Sequence, residues 1–388
     1  MTTVYLDHAA TTPMLPCAVD AMAEQFARTG NPSSLHASGR HARRVVEESR
    51  ERIAQALNCR PGEVVFTSGG TEADNLAVKG IHWARGRARI LSTAVEHHAV
   101  LDPLHWLAES GGADVTLLGV DAQCRLDLPA LEAAIAQGGD DISLISVMWA
   151  NNEVGTLQTI SEVVALAAAH GIPVHTDAVQ AIGAVPVDFA ASGVDALTLT
   201  GHKVGGPFGV GALVVRRELE VAPLLHGGGQ ERDIRSGTID TPAIAGFAAA
   251  VEETVKHQAE HHARLRALRE RLVDGVRRAV PDVLVSGDPE RSLPGHAHLR
   301  FPGCEGDSLL MLLDARGIEC STGSACNAGV PQASHVLLAM GCTDAEARSS
   351  LRFSLGHTST TADVDAVIDA IAPVVERARA AGVKRGLA

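Results

Sequence analysis

Residues 197–215 read LTLTGHKVGGPFGVGALVV, and this stretch decides the fold. An apolar strand pattern ends in Thr200-Gly-His-Lys, and a glycine-rich turn joins it to a second apolar run over 211–215. Lys203 therefore lies at a strand end, beside a hydroxyl and an imidazole, where the glycines let another molecule approach the backbone. A lysine desolvated in such a turn loses its proton near neutral pH and attacks a carbonyl to form a Schiff base. The turn alone favours the alternative, a solvated lysine that binds phosphate.

Short apolar runs separated by helical patterns precede this turn, and they predict a mostly parallel sheet with βαβ connections. The predicted strands cover 63–67, 90–93, 115–118, 142–148, 173–176 and 196–200, and the helices include 42–57, 129–136 and 160–169. After Pro242 the pattern changes to one long helix up to about Arg278, strands near 298–301 and 351–355, and a terminal helix over 361–381. The sequence thus predicts an α/β protein with a second, smaller α+β domain.

Length and composition fit a two-domain globular protein, with 388 residues of which 46% are hydrophobic and 20% are charged. A net charge of -13 argues against nucleic-acid binding and against an anionic membrane surface, and no apolar run is long enough to span a bilayer. The opening MTTVYLDHAATTP lacks the pattern of a signal peptide, and the seven scattered cysteines do not suggest a disulfide framework. We therefore expect a protein of the reducing cytoplasm.

Residues 66–75, FTSGGTEADN, read as a strand, a Ser-Gly-Gly-Thr turn and the start of a helix. Exposed N–H groups at a helix start bind phosphate readily, Gly69 and Gly70 allow a close approach, and Thr71 adds a hydroxyl. The stretch matches neither the dinucleotide-binding nor the Walker pattern, so a nucleotide is not indicated. The alternative interpretation is a plain Thr N-cap with glycine turn residues.

Asp177 ends the strand pattern IPVHTD and is followed by Ala-Val-Gln180. A carboxylate at the end of a buried strand is costly unless it has a partner. A protonated pyridine nitrogen would be such a partner, because an aspartate opposite that nitrogen tunes pyridoxal phosphate. The alternative is an aspartate that caps the next helix.

Polar residues at other predicted strand ends are candidates for the same cofactor or substrate site as Lys203 and Asp177. His97 is placed to stack on an aromatic ring and to move protons. The neighbouring side chains of His97 and His98 point apart, and no CxxC or HExxH motif lies nearby to supply further ligands, so we expect no metal site. The amides of Asn151-Asn152 suit a ring hydroxyl or a carboxylate. Arg352 suits bidentate binding of a substrate carboxylate, with a surface salt bridge as its alternative.

Cys326 lies in IECSTGSACNAG, a stretch rich in Ser, Gly and Ala. A cysteine in such a loop is accessible, and it acts as a nucleophile when its thiolate is populated. Cys320 follows the apolar run of a buried strand end, and we interpret it as structural. No role is predicted for the other cysteines: Cys17, Cys59, Cys124, Cys304 and Cys342.

Ten motifs, in order along nearly the whole chain, resemble those of the cysteine desulfurases that supply sulfur for iron–sulfur cluster assembly, which are fold-type I, class V aminotransferase-like pyridoxal-phosphate enzymes. The motifs are YLDHAATTP, GNPSSLHASGR, FTSGGTEADN, VEHHAVLD, WANNEVGT, HTDAVQAIG, TGHKVGGP, RSGT, STGSAC and SLRFSLGH. The resemblance implies a large domain over 15–255 with a mostly parallel seven-stranded sheet, and a small domain formed by 1–14 and 256–388. The length of 317–329 is similar to that of the housekeeping and nitrogen-fixation type, whose catalytic cysteine sits on a long loop.

The resemblance also implies a role for each site residue. Lys203 would hold pyridoxal 5'-phosphate as a Schiff base and shuttle the Cα proton of L-cysteine, and Cys326 would attack the substrate sulfur and become a persulfide. Around the cofactor ring, Asp177 would pair with the nitrogen, Gln180 would bind the hydroxyl, and His97 would stack and act as acid or base. The remaining implied contacts are Gly70, Thr71, Thr200 and His202 to the phosphate, Thr238 to the phosphate of the other subunit of a homodimer, and Asn152 and Arg352 to the substrate carboxylate.

Other functions stay open at this point. A selenocysteine lyase or another enzyme of the same fold is one alternative, although a transaminase needs no cysteine such as Cys326. A non-catalytic assembly scaffold is the other, although it needs neither Lys203 nor Cys326. The sulfur acceptor could be an iron–sulfur scaffold, a tRNA-thiolation enzyme or a biosynthetic carrier. Phe208 and Asn327-Ala328 depart from residues common in the family, and the second departure could alter partner preference.

Overall fold

The computed structural model describes residues 3–323 and 333–383, and its largest feature is a seven-stranded sheet. In chain order the strands of the described part are β1 (Val4–Tyr5), β2 (Val64–Thr67), β3 (Arg89–Thr93), β4 (Asp114–Leu118), β5 (Ile142–Ser146), β6 (Val174–Asp177), β7 (Ala196–Thr200), β8 (Gly211–Val215), β9 (Leu284–Ser286), β10 (His296–Arg300), β11 (Ile318–Glu319) and β12 (Ser350–Ser354). The large sheet has the order β2-β8-β7-β6-β5-β3-β4.

Helices cover both faces of this sheet. In chain order they are α1 (Pro16–Phe26), α2 (Ala37–Leu57), α3 (Gly70–Arg85), α4 (His98–Ser110), α5 (Leu128–Gly138), α6 (Ile160–Ala168), α7 (Phe189–Ser192), α8 (Thr241–Lys256), α9 (Gln258–Ala279), α10 (Gly306–Asp314), α11 (His335–Ala339), α12 (Asp344–Arg348) and α13 (Thr361–Val383). The apolar run in strand β2 reflects the burial of both faces of the strand. Val64 and Phe66 pack into the core that α2 and α8 cover, and Val65 packs into the core beneath α3 and α4.

The directions of the strands bring several strand ends together at one edge of the sheet. Strands β3 to β7 run parallel to one another, and β8 runs antiparallel to both β2 and β7. The glycine turn after Lys203 reverses the chain between β7 and β8, as a hairpin connection does. The prediction of a mostly parallel, seven-stranded α/β fold is confirmed. The carboxyl ends of β2, β3, β5, β6 and β7 therefore lie on the same side.

Two helix predictions were wrong in their bounds. The single helix predicted from 242 to 278 is two helices, because His257 leaves helical geometry with φ of -100° and ψ of 10°. Helix α8 packs against α1 and α2, whereas α9 packs against α13, so packing in three dimensions sets the break. Helix α2 begins at Ala37 rather than at 42, because the His36 side chain accepts a hydrogen bond from the Gly39 N–H and caps it.

A second apolar core lies in the C-terminal part of the chain. The antiparallel sheet β12-β10-β9 packs with α9, α10 and α13, and Leu6 from the N-terminal segment joins the same core. Strand β1 pairs in parallel with β11, which ties the N-terminus to this region. The division into 15–255 and 1–14 with 256–388 stays a prediction. Within the described ranges, none of the helices has the length and apolar character to cross a membrane.

Candidate functional site

A cavity of about 340 Å³ opens where the carboxyl ends of the parallel strands meet. Such an edge is where open α/β sheets bind their ligands, because the loops after neighbouring strands converge there. Ten of the residues that the sequence assigns to cofactor or substrate line this one cavity: Gly70, Thr71, His97, Asn152, Asp177, Gln180, Thr200, His202, Lys203 and Arg352. Nine of them lie at the carboxyl ends of five strands or in the segments that follow those strands, and β12 supplies the tenth.

Lys203 ends a short 3₁₀ turn, Gly201–Lys203, directly after β7. Its Nζ donates hydrogen bonds to the carbonyl oxygen of Ala9 and, at 2.7 Å, to that of Ala10. Burial lowers the pKa of Lys203 to about 8, and the nearby Arg352 guanidinium acts in the same direction. With a pKa of about 8, roughly a tenth of the amine is unprotonated at pH 7, and this fraction is the nucleophile. The alternative of a solvated lysine is not supported.

The start of α3 forms one end of the cavity. Gly69 precedes the helix with a φ of +152°, a conformation that L side chains rarely adopt. The position before the first helical residue is thus a glycine without a capping side chain, and the Thr N-cap interpretation of Thr71 is wrong. The first N–H groups of a helix have no intrahelical acceptor, so Gly70 and Thr71 offer free donors to an anion at this end.

Asp177 is the last residue of β6 and is only 6% exposed. Its Oδ1 accepts a hydrogen bond from the Val179 N–H at 2.9 Å, so it orders the turn that follows rather than capping a helix. Burial raises the pKa of Asp177 to about 6, and the Lys203 ammonium partly opposes that rise. A carboxylate has about four acceptor positions, and one backbone donor leaves capacity for a ligand N–H.

His97 and Gln180 lie beside these two groups. Nδ1 of His97 accepts from the Ala99 N–H at 3.1 Å and caps α4. Desolvation in the cavity lowers the pKa of His97 to about 4, with the Lys203 charge adding to the effect, so its imidazole is neutral. Nε2 of Gln180 donates to the Ala9 oxygen at 2.9 Å, the same carbonyl that Lys203 contacts.

Arg352 reaches the cavity from β12, and its side chain is 5% exposed. Nη2 donates to Oδ1 of Asp7 at 2.8 Å, and Nη1 donates to the Asn152 carbonyl oxygen at 2.9 Å. The surface salt bridge considered for Arg352 is therefore wrong: the pair with Asp7 is largely buried. Asn151 has a different task, because its side chain binds the Val95 oxygen and accepts from the Glu153 N–H, which holds the loop.

His202 completes the turn after β7. Its ring stacks on Phe208 with 5.4 Å between ring centroids and 22° between planes. Desolvation, followed by the Lys203 charge, lowers the pKa of His202 to about 4. Phe208 is 69% exposed, so this departure from the family pattern alters the outer side of the turn and not the cavity wall.

Two predicted residues are not in the cavity of this single chain. Thr238 is exposed and lines a separate cleft with Asn31 and Gln230. Cys326 lies outside the described residues, as do Asn327 and Ala328. Cys320, interpreted as structural, is buried after β11, and burial raises the pKa of its thiol to about 12, which leaves it unreactive.

The structure also adds residues that sequence reasoning missed. Asp74 lines the cavity and is 1% exposed, and His335 lines it beside the start of α4, with 5.1 Å between the ring centroids of His335 and His98. A signal for Asp74 was present, because it shares a helix face with Ala77, Val78 and Ile81, at the spacing of a buried stripe. No comparable pattern marks His335, which reaches the cavity through tertiary folding alone.

The polar groups that line the cavity suit a ligand that carries a phosphate, a basic ring nitrogen and a carbonyl carbon. The helix start at Gly70 matches the anion, Asp177 matches a protonated ring nitrogen, and the Lys203 amine matches the carbonyl. Arg352 then provides a site for a second anion, such as the carboxylate of an amino acid. Within the described ranges, no three His, Cys, Asp or Glu side chains meet in a way that could hold a metal ion.

Comparisons with known proteins agree with this geometry. The family model described as aminotransferase class-V matches residues 4–367. The IscS-like cysteine desulfurase of Mycobacterium tuberculosis is 58% identical over 386 residues, 98% of each chain. The cysteine desulfurase IscS of Methanosarcina thermophila is 42% identical over 379 residues, which are 97% of this chain and 93% of that one.

Solved structures give the same result. A NifS-like protein superposes with a TM-score of 0.89 at 34% identity, over 97% of this chain and 99% of that one. A NifS-like protein from Rickettsia africae superposes with a TM-score of 0.88 at 32% identity, over 97% and 100% of the two chains. Because these matches extend along nearly the entire chain, the chain belongs to the aminotransferase class-V family and, within it, to the cysteine desulfurases.

Proposed function

We propose that this cavity removes sulfur from L-cysteine, giving L-alanine, and that Cys326 receives the sulfur as a persulfide. The observation that carries the proposal is the convergence of Lys203, Asp177 and the free start of α3 in one cavity beside Arg352. This combination provides for a carbonyl-bearing aromatic cofactor and for an amino-acid carboxylate at the same time.

The proposed cofactor is pyridoxal 5'-phosphate, which is implied by the family. When bound, it supplies an electron sink that makes the substrate Cα proton removable. Lys203 would hold it covalently, Asp177 would keep its ring nitrogen protonated, and His97 would lie on its face. Its other contacts would be Gln180 to the ring hydroxyl, Gly70, Thr71, Thr200 and His202 to the phosphate, and Thr238 of a second subunit to the same phosphate.

The chain's own residues then carry out substrate binding and proton transfer. The guanidinium of Arg352 and the amide of Asn152 would bind the substrate carboxylate and so orient the Cα–H bond. The Lys203 amine, whose pKa is lowered to about 8 by burial, accepts that proton and returns it, because both protonation states are populated near neutral pH. Neutral His97 serves as a further proton carrier over the same site.

The sulfur transfer balances without an added oxidant or reductant. The Cys326 thiolate attacks the substrate sulfur, an S–S bond forms, and the substrate C–S bond breaks with its electron pair on carbon. That carbon takes a proton, so one cysteine and one enzyme thiol give one alanine and one enzyme persulfide. The persulfide would pass to a second protein, such as an iron–sulfur scaffold or another sulfur acceptor, in the cytoplasm.

The test is conversion of L-cysteine to alanine by the purified protein with added pyridoxal phosphate. We expect alanine formation by the native chain, and none by Lys203→Ala, which would also lose the visible absorbance of lysine-linked cofactor. Lys256→Ala removes an exposed lysine and serves as the matched control, with full activity expected. Alanine formation by Lys203→Ala, or a strict requirement for a 2-oxo acid as in a transaminase, would contradict the proposal.

A further inference from the structure

Two segments that are distant in the fold's connectivity meet at the carboxyl group of Glu153, in the loop after β5. Glu153 is 2% exposed, and it lines the cavity of the candidate site. One segment ends at Gly323 and the other includes Ser334, and Cys326 lies between these two residues in the sequence. The carboxyl group of Glu153 therefore lies where the cavity wall meets the part of the chain that leads to the proposed nucleophile.

Ser334, immediately before α11, is the hydrogen-bond partner of this carboxyl group. Its hydroxyl donates to Oε2 of Glu153 and accepts from the Leu337 N–H at 3.1 Å, which caps α11. A hydroxyl has a single proton, and because the Leu337 N–H already supplies a donor to its oxygen, that proton is directed to Glu153. Ser334 is 1% exposed, so water cannot replace the Glu153 acceptor without a rearrangement.

Gly323 lies against the same oxygen atom of Glu153. It has a φ of +88°, and a methyl group added there would lie 3.5 Å from Oε2 of Glu153 and 3.4 Å from Nε2 of His298. This backbone conformation favours glycine, so the chain passes the carboxyl group with only its backbone. The Gly323 N–H donates to the Ser321 hydroxyl at 3.0 Å, which fixes the local turn.

Both segments are also bonded to other parts of the cavity wall. Ser321 exchanges two backbone hydrogen bonds with Arg352, of 3.1 and 2.7 Å. Nε2 of His335 lies 2.9 Å from the carbonyl oxygen of Glu96. Each of these bonds holds one segment, whereas the carboxyl group of Glu153 contacts both.

The distance along the chain from Gly323 to Cys326 makes this contact relevant to sulfur transfer. The two residues are three positions apart. An extended chain spans at most about 3.6 Å per residue, so their Cα atoms lie within about 11 Å of each other. Gly323 itself lines the cavity. A displacement of Gly323 therefore changes which part of the cavity the Cys326 sulfur can reach.

We propose that Glu153 is a positioning residue for the sulfur-transfer step: its carboxyl group holds Ser334 and supports Gly323, and it thereby sets the approach of Cys326 to the substrate. The proposal rests on the proposed function, because it concerns the same cysteine. The role requires an oxygen that accepts from the Ser334 hydroxyl and does not require a negative charge. Glu153→Gln retains such an oxygen, whereas Glu153→Ala removes it.

The first measurement is hydrogen–deuterium exchange of the full chain, read by mass spectrometry in peptides that cover 318–323 and 333–340. We expect Glu153→Ala to raise the exchange rate in both peptides, by about tenfold in 333–340, because a buried hydrogen bond is lost there. Glu153→Gln should exchange like the native chain. Unchanged exchange in either peptide of Glu153→Ala would overturn the proposal, and this readout needs no turnover.

The second measurement is the rate of persulfide formation on Cys326 in a single turnover of the cofactor-loaded protein, followed by rapid quenching and mass spectrometry. We expect Glu153→Ala and Ser334→Ala to be about tenfold slower at saturating L-cysteine, with the half-saturating concentration and the cofactor absorbance unchanged. Glu153→Gln should keep the native rate. The matched control is Thr343→Ala, which removes the exposed cap of α12 and should also keep the native rate.

The outcomes separate a positioning role from other roles. Equal slowing by Glu153→Gln and Glu153→Ala would show that the charge acts rather than the hydrogen bond, and would overturn the proposal. Native rates in Ser334→Ala, or a change confined to the half-saturating concentration, would overturn it as well. Absence of persulfide on the native chain would refute the proposed function instead, and the exchange measurement would still decide whether Glu153 holds the two segments.

Discussion

Arg352 and Asp7 form a charge pair at the cavity wall, with 2.8 Å between Nη2 of the guanidinium and Oδ1 of the carboxylate. The guanidinium also donates to the Asn152 carbonyl, while its Nε has no hydrogen-bond partner among the described residues. Two contacts thus fix the plane of the guanidinium before substrate arrives. A fixed guanidinium loses little freedom when it binds a carboxylate, so the arrangement favours amino-acid substrates.

We expect Arg352→Ala to lower kcat/KM for L-cysteine by about 100-fold, the size of a lost charge-assisted bidentate contact, with the larger share in KM. Steady-state alanine formation measures this. The control is Arg271→Ala, which removes an exposed arginine paired with Asp365 and should leave both constants unchanged. Unaltered KM in Arg352→Ala would mean that another group binds the carboxylate.

Asp177→Asn should retain weakened cofactor binding but turn over poorly. The amide cannot hold the proton on the ring nitrogen, and the electron sink loses its charge. We expect kcat to fall by at least about 100-fold, since removal of one preorganised electrostatic partner typically has this effect. Turnover equal to that of the native chain would show that Asp177 only orders the turn at Val179.

The buried ion pair of Arg50 with Glu231 should contribute strongly to the free energy of unfolding. Two hydrogen bonds of 2.8 Å join these side chains, and Glu231 also accepts from the Phe66 N–H at 2.9 Å. Glu231→Ala leaves the buried Arg50 guanidinium with only the exposed Glu47 carboxylate, 3.3 Å from its Nε, and we expect the free energy of unfolding to fall by about 3–5 kcal/mol.

The matched control for that prediction is Glu252→Ala, which breaks the exposed pair with Arg52. We expect a loss of about 0–1 kcal/mol there, because solvent screens exposed charges. Urea unfolding of both variants under identical conditions makes the comparison. Equal losses of unfolding free energy in the two variants would contradict the claim that the buried pair contributes more to stability than the exposed pair.

Buried histidines should make the protein less stable in acid. Burial, together with the charge of Arg352, lowers the pKa of His298 to about 3, whereas the unfolded chain titrates near 6.5. Between these values the unfolded state binds a proton that the folded state does not, so stability falls as pH drops from 6.5 toward 3. His298→Leu should reduce the slope of unfolding free energy against pH by about 1.4 kcal/mol per unit in this window.

The control for the acid effect is His105→Asn, which replaces an exposed histidine and should leave the slope unchanged. Urea titrations at several pH values between 6 and 4 give both slopes. If His298→Leu and the native chain share one slope, then His298 takes up its proton while the protein is still folded.

Sequence reasoning worked best where one local rule decides the structure. Strands β7 and β8 were predicted residue for residue, because a fully buried strand reads as a continuous apolar run that ends at turn residues. It failed at His257, where local helix propensity continues across the break and only the packing of α8 and α9 against different partners reveals it.

The same distinction between local sequence rules and tertiary packing holds for the residues of the site. The positions of Gly70, Asp177 and Lys203 could be predicted because each lies at or just after the carboxyl end of a strand, and parallel strands bring such ends together. Their alternatives could not be decided locally: whether Thr71 caps the helix depends on the φ of Gly69, and whether Arg352 is exposed depends on Asp7, 345 residues away in the chain. His335 and the Asp74–His175 contact arise from tertiary packing, which no local pattern encodes.

The central claim, that Cys326 receives the sulfur of L-cysteine, is tested most directly by mass spectrometry of the cofactor-loaded protein after one exposure to L-cysteine without added thiol. We predict one additional sulfur on the tryptic peptide that carries residue 326. Cys326→Ser should still bind cofactor and substrate but acquire no sulfur, because a serine hydroxyl has too high a pKa to supply the attacking anion. Cys320→Ser should behave like the native chain. Additional sulfur on Cys320, or full sulfide release by Cys326→Ser, would contradict the account.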